Sequence, residues 1–208
     1  MKKVLFLPIL ALTLLCGCSE TTTTQTATKK EAEKALEPVT GLSALFKMFQ
    51  VARSWGGSDL QILKMNSMQI AEAPDVPRGK AAAWQCTFVS PSKNTARTYT
   101  YSIAESAGNL HQGVRAGSEE GWSGAKGTTA TFRIEAVKSD TDAAYKTALE
   151  QGADYDKKNP GKPIIFLLEK ATKDPDPHWR VVWGESVGTS NFSVLVDAFS
   201  GVYLEKLH

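Results

Sequence analysis

Trp179-Arg180-Val181-Val182-Trp183, followed by Phe192-Ser193-Val194-Leu195-Val196-Asp197-Ala198-Phe199-Ser200-Gly201, is the stretch that decides the fold. Both runs alternate or concentrate apolar side chains over strand lengths, and Ser200-Gly201 is turn chemistry. The same pattern occurs earlier as Trp84-Gln85-Cys86-Thr87-Phe88, then Tyr99, Tyr101, Ile103 and Gly108. Matching Tyr99 to Phe192, Tyr101 to Val194 and Ile103 to Val196 leaves a two-residue difference in the hairpin between the strands.

Upstream of each pair the chain repeats itself again. Leu42, Leu45, Phe46, Phe49 and Ala52 fall at helical spacing, which predicts an amphipathic helix over 43–55, stopped by Gly56-Gly57. Strands are expected at 60–68, 81–89 and 97–104. In the second half, Ser139-Asp140-Thr141-Asp142 has the capping-box form and opens a helix over 140–151, closed by Gly152. Strands are expected at 164–168, 179–183 and 192–196. The chain therefore reads helix–strand–strand–strand twice. The expected class is α+β, as two tandem helix–β–β–β units, each a helix packed on an antiparallel sheet. Their bounds are 38–115 and 139–208. Between them lies a glycine-rich linker and strand, 116–138, with the strand over 128–137.

The second unit resembles a PepSY domain. The carrying residues are Trp179 to Trp183, then Val194 to Tyr203, with Asp197-Ala198-Phe199-Ser200-Gly201 matching the family's strand ending. The first unit is similar in pattern only, having Glu105-Ser106-Ala107-Gly108 at that place. The resemblance implies an extracytoplasmic domain that binds or inhibits proteins.

The N-terminus supports that location. Lys2 and Lys3 precede an apolar run ending in Leu15-Cys16-Gly17-Cys18. This has the build of a secretion signal, and Gly17 is the small residue expected before the cut. A cysteine just after it resembles the lipobox of bacterial lipoproteins. By that resemblance 1–17 is a signal peptide and Cys18 carries the lipid, palmitate among its acyl chains. Ser19 after it implies an outer-membrane site facing the periplasm rather than the inner membrane. The apolar run is shorter than the roughly 20 residues a bilayer-spanning helix needs. Residues 18–37 are expected to be a disordered tether, because 19–28 holds six threonines and no large apolar side chain. Residues 29–36 can form only a marginal helix, ended by Pro38.

Charge excludes some partners. The chain has 24 basic and 22 acidic residues, and the excess of +2 is Lys2 and Lys3. The mature chain is neutral, which argues against a nucleic-acid partner and against a polybasic membrane surface. Of the three cysteines, Cys16 leaves with the signal and Cys18 is lipidated, so Cys86 has no disulfide partner and reads as a buried apolar residue.

The search for chemistry yields no catalytic residue. The three histidines, His111, His178 and His208, share no ligand spacing, so no metal and no cofactor is expected. His178 is expected to be exposed in a hairpin loop. No nucleophile elbow or phosphate loop occurs. Trp55, Trp84, Trp179 and Trp183 are expected in the core. Trp122 is the remaining candidate, in a glycine-rich loop after Glu119 and Glu120. Tryptophan is enriched in binding hot spots, so these three residues form the candidate binding loop. The alternative is that Trp122 tucks between the two units as a plug.

The expected function is a lipid-anchored extracytoplasmic binding protein, one version being inhibition or regulation of an envelope hydrolase. A structural or assembly lipoprotein of the cell envelope is the alternative, and an enzyme is less expected. The partners are the membrane, through Cys18, and a protein of the envelope.

Overall fold

A computed structural model describes residues 36–108 and 110–207. The signal segment, Gly17, Cys18 and the tether up to residue 35 lie outside the described residues. Among the described residues, no helix is long and apolar enough to cross a membrane.

The protein is α+β, with two α-helices and a large antiparallel sheet among the described residues. In chain order the elements are β1 (Val39–Thr40), α1 (Gly41–Gly56), β2 (Gln61–Met68), β3 (Lys80–Ala81), β4 (Ala83–Ser90), β5 (Thr95–Ser102), β6 (Gly113–Gly121), α2 (Thr141–Lys158), β7 (Ile164–Glu169), β8 (His178–Trp183), β9 (Ser193–Asp197) and β10 (Tyr203–Leu207). Strand β1 pairs with β3, and the other eight form one sheet ordered β10-β9-β8-β7-β2-β4-β5-β6. Helix α1 packs on β4, β5 and β6, and α2 packs on β8, β9 and β10.

Both helices lie on one face. Across the central pair, Met65 of β2 stands opposite Leu168 of β7, so their side chains share a face. Both belong to a single buried cluster with Leu45 of α1 and Ala148 of α2. Trp84, Phe166 and Trp179 meet in that cluster, with ring centroids 6.2 and 6.4 Å apart. One core therefore serves both halves of the sheet. Cys86 is fully buried in it, and burial pushes its thiol well above the usual range.

Several expectations change. Trp84 pairs with Tyr101 and Trp179 with Val196, the same interval in both halves. The two-residue hairpin difference is thus a slip of register. A slip of two preserves which face each side chain occupies, so alternation cannot detect it. Helix α2 runs on past Gly152 to Lys158. A Cβ on Gly152 would lie 2.8 Å from the Phe192 ring, so this glycine makes room for packing rather than ending a helix. The α2 cap is Asp140, not Ser139. Strand β10 was not expected at all.

The segment 116–138 differs most. Its glycine-rich first part is the edge strand β6, because β5 offers it backbone partners on either side of an irregularity between Arg97 and Tyr99. Residues 128–137 form no continuous strand. They make single bridges instead: Phe132 exchanges both backbone bonds with Ile62, at 2.8 and 3.0 Å, and Thr129 faces Ala171. This segment wedges between β2 and the extension of β7.

Candidate functional site

Among the described residues no helix lies on the sheet's second face. From β2 to β5 it presents Lys64, Asn66, Gln85, Thr87, Thr98 and Thr100, all exposed or half-buried. Leu167, Arg180 and Leu195 continue the surface across β7 to β9 and are half-buried, while Ile165, Val182 and Ser193 between them are buried. Two hydroxyls, Thr87 Oγ1 and Thr98 Oγ1, hydrogen-bond across the strands at 3.0 Å. Threonine and glutamine here suit strand geometry and hold water or a partner equally well.

A cleft of about 440 Å³ opens at one end of this face, walled by Leu195, Leu204 and Leu207. His178 lines it. The sequence suggested an exposed loop histidine, but His178 begins β8, where β7 and β9 flank it, and only 6% of it is exposed. Its Nε2 lies 3.7 Å from Glu169 and its Nδ1 3.7 Å from Asp174. The two carboxylates address opposite ring nitrogens, so the histidine bridges them rather than joining them around one ion. Interaction with His178 holds the Glu169 carboxyl below its ordinary value, against the opposing effect of burial. Among the described residues no group of three or more His, Cys, Asp and Glu side chains is placed to hold a metal.

A second cleft, of about 610 Å³, lies at the central seam. Strands β2 and β7 pair only at Met65–Leu168 and Asn66–Leu167. One residue further the backbones part, and Phe166 N–H donates to the Ser67 hydroxyl instead, at 2.9 Å. The gap is bordered by residues 69–82 and 161–164.

The residues singled out from sequence stand elsewhere. Glu119 and Glu120 are on β6, the outer edge of the sheet, not in a loop. Glu119 turns to the helix side and accepts the Trp55 indole N–H at 2.5 Å, which lowers its pKa. Trp55 is accordingly half-buried, unlike the fully buried Trp84, Trp179 and Trp183. Trp122 follows β6, its N–H donating to Asn94 O at 2.8 Å in the β4–β5 turn. It is half-buried at the outer edge, three strands from the seam, and residues 128–132 fill the seam in the place foreseen for it. The structure does not gather Trp122, Glu119 and Glu120 into one surface loop. Sequence reasoning missed both clefts, whereas a helix across one face of each sheet already implied a face without one. The open face was visible in part as polar residues alternating with the apolar ones in β4 and β5.

No family model, curated protein or solved structure matches the chain.

Proposed function

We propose that this chain is a lipid-anchored binding protein of the bacterial envelope, built from two tandem PepSY-like helix–β units fused edge to edge, and that it recognises a protein partner with the helix-free face of its sheet. The observation that carries the reading is the placement of both helices of the described residues on one face, leaving the other without a helix. Eight strands at about 4.8 Å spacing and about 20 Å length give a face of about 700 Å², less the end where Ile70 and Leu110 cover Ala83. A stable protein interface takes about 800 Å² from each partner, so the area is of the right order. The tandem reading draws support from the matched anchors, since Trp84 and Trp179 occupy the same register in both halves. Anchoring draws support from Leu15-Cys16-Gly17-Cys18.

Photo-crosslinking residues placed at Thr87 and Leu167 on the open face, and at Gln50 and Lys146 on the helices, test the binding face in the native envelope. Discrete adducts from the first pair alone are expected. Adducts only from the helix positions refute it. For the anchor, Cys18→Ser should move the protein out of the detergent phase, and unchanged partitioning refutes lipidation.

A further inference from the structure

We propose that the β9–β10 turn inserts Phe199 and Val202 into the surface of the bilayer that holds the chain. This rests on the anchoring reading and is independent of the open-face one.

Exposed apolar side chains gather at this corner of the sheet. Among the described residues seven large apolar side chains are exposed, and four of them, Phe199, Val202, Tyr203 and Leu204, fall within six positions. The two most exposed of the seven, Phe199 at 53% and Val202 at 59%, flank Ser200-Gly201 at the tip. The other three are Leu36 and, on α1, Phe46 and Val51. A clustered apolar patch marks an interaction site, whereas single exposed apolar residues are ordinary.

The backbone of the turn suits lipid. Apolar surroundings offer a backbone N–H no partner, so a segment that enters them must satisfy its own. All five N–H groups from 198 to 202 are satisfied within the protein. Ala198 donates to Pro177 O and Gly201 to Asp197 O, both at 2.9 Å. Asp197 Oδ1 accepts Phe199 N–H at 3.0 Å, Ser200 N–H at 2.6 Å and the Ser200 hydroxyl at 2.7 Å. Ser200 Oγ accepts Val202 N–H at 3.4 Å. The donors thus turn inward, mostly onto Asp197, and the apolar side chains stay outside. Ala198 O accepts Lys138 and Ser139 N–H, both at 2.8 Å, and Gly201 O accepts the Thr147 hydroxyl at 3.1 Å. The turn is therefore fastened to α2 before it meets any surface, which lowers the ordering cost of binding.

Attachment and charge choose the occupant. Gly41 and Leu42, at the start of α1, donate to Thr141 and Asp140, next to the Ser139 that holds the turn. The chain thus enters the fold beside the element on which the turn sits. Residues 19–35 read as a tether, and a flexible chain of that length spans roughly 23 Å, so a bilayer at Cys18 is within reach of the turn. A few apolar side chains bind a bilayer weakly by themselves, but attachment makes the contact intramolecular, at an effective concentration of about millimolar. The charges bordering the patch, Asp197 and Glu205 against Lys138 and Lys206, balance, so the contact is apolar rather than electrostatic.

The test uses the chain from residue 18 onward, coupled through Cys18 to a maleimide lipid in phosphatidylcholine nanodiscs carrying a gadolinium-chelating lipid. Cys86 is fully buried, which leaves Cys18 as the reactive thiol. This chemical anchor replaces cellular lipidation, so its outcome is separate from that of the Cys18→Ser partitioning. Backbone amide NMR should show the strongest paramagnetic relaxation at 198–204. Phe199→Ser with Val202→Ser should lose that excess while keeping a dispersed spectrum. Anionic phosphatidylglycerol in place of phosphatidylcholine should change it by less than about twofold, as a patch without net charge requires. A larger dependence would make the contact electrostatic and overturn the proposal. Equal relaxation at 198–204 and at 90–94, four strands away, or an unchanged pattern in the double variant, would overturn it too. So would dimerisation of the uncoupled Cys18→Ser chain that the same two substitutions abolish, which would give the patch to a second copy.

Discussion

In the half of the sheet under α1, Trp84 donates its indole N–H to Val39 O at 3.2 Å, in the residue before the helix cap. In the half under α2, Trp179 does the same to Ser139 O at 2.8 Å, again one residue before the cap. Each tryptophan thus ties the start of a helix to the second strand beneath it. The caps themselves are unlike. Thr40, at the start of α1, makes no side-chain cap bond. Asp140 caps both helices: its Oδ1 accepts Thr141 N–H at 2.7 Å and Leu42 N–H at 2.8 Å. Thr141 Oγ1 accepts Gly41 N–H at 2.8 Å as well. The two helices begin head to head, and one carboxylate serves the positive ends of both. A Cβ on Gly41 would lie 2.6 Å from Thr141 and 2.7 Å from Trp179, so the meeting has no spare room. The halves share an anchor and divide the capping unequally, α1 taking its cap bonds from the start of α2.

Three experiments sharpen or break this comparison. Trp84→Ala and Trp179→Ala should each lower stability by about 4 kcal/mol, the usual scale for deleting a fully buried aromatic. Urea unfolding checks it, and a difference above about 2 kcal/mol between the two would end their equivalence. Next, Asp140→Ala should cost about 2 kcal/mol, two caps at about 1 each, whereas Thr40→Ala should change stability by less than about 0.5 kcal/mol. Comparable losses in both would show that the capping is not shared.

The smallest effect concerns two of the lowered glutamates, one from each half. Glu169 is lowered chiefly by His178 and Glu119 chiefly by the Trp55 indole. Each contributes stability above the unfolded value near 4.5, and that contribution is lost as pH falls through the lower folded value. His178→Leu should bring Glu169 back up without moving Glu119, and Trp55→Phe should do the converse. Carboxyl NMR titration reads both. Movement of the wrong glutamate would mean that the assigned neighbours are not the cause.

Much of the architecture was legible because periodicity reports burial directly. The apolar positions of α1 other than the exposed Phe46, the alternation in β5 and the tryptophans opening β4 and β8 marked surfaces that the fold buries. Gly57, with φ of 74°, stops α1 as the sequence suggested. Gly152 misled because a glycine needed for packing looks the same in sequence as one needed for a turn. Strand β6 was illegible because Gly113–Gly121 has weak strand propensity and is held by its neighbour's backbone. Glu119 and Glu120 read as loop residues for the same reason, since only pairing with β5 makes them strand residues. His178 looked exposed because Asp176-Pro177 suggested a turn, while its burial comes from β7 and β9, distant in sequence.

By itself the sequence determined the α+β class, both helices and most of the strands, the buried tryptophans and the buried thiol of Cys86. These follow from local pattern, which the hydrophobic effect reads along the chain. Only the tertiary structure decided that the sheets merge through β2 and β7, that one aspartate caps both helices, and that a seam cleft and an uncovered face result. Those features depend on backbone pairing and side-chain contacts between residues about 100 positions apart, and no local pattern encodes which distant partner a strand edge will choose.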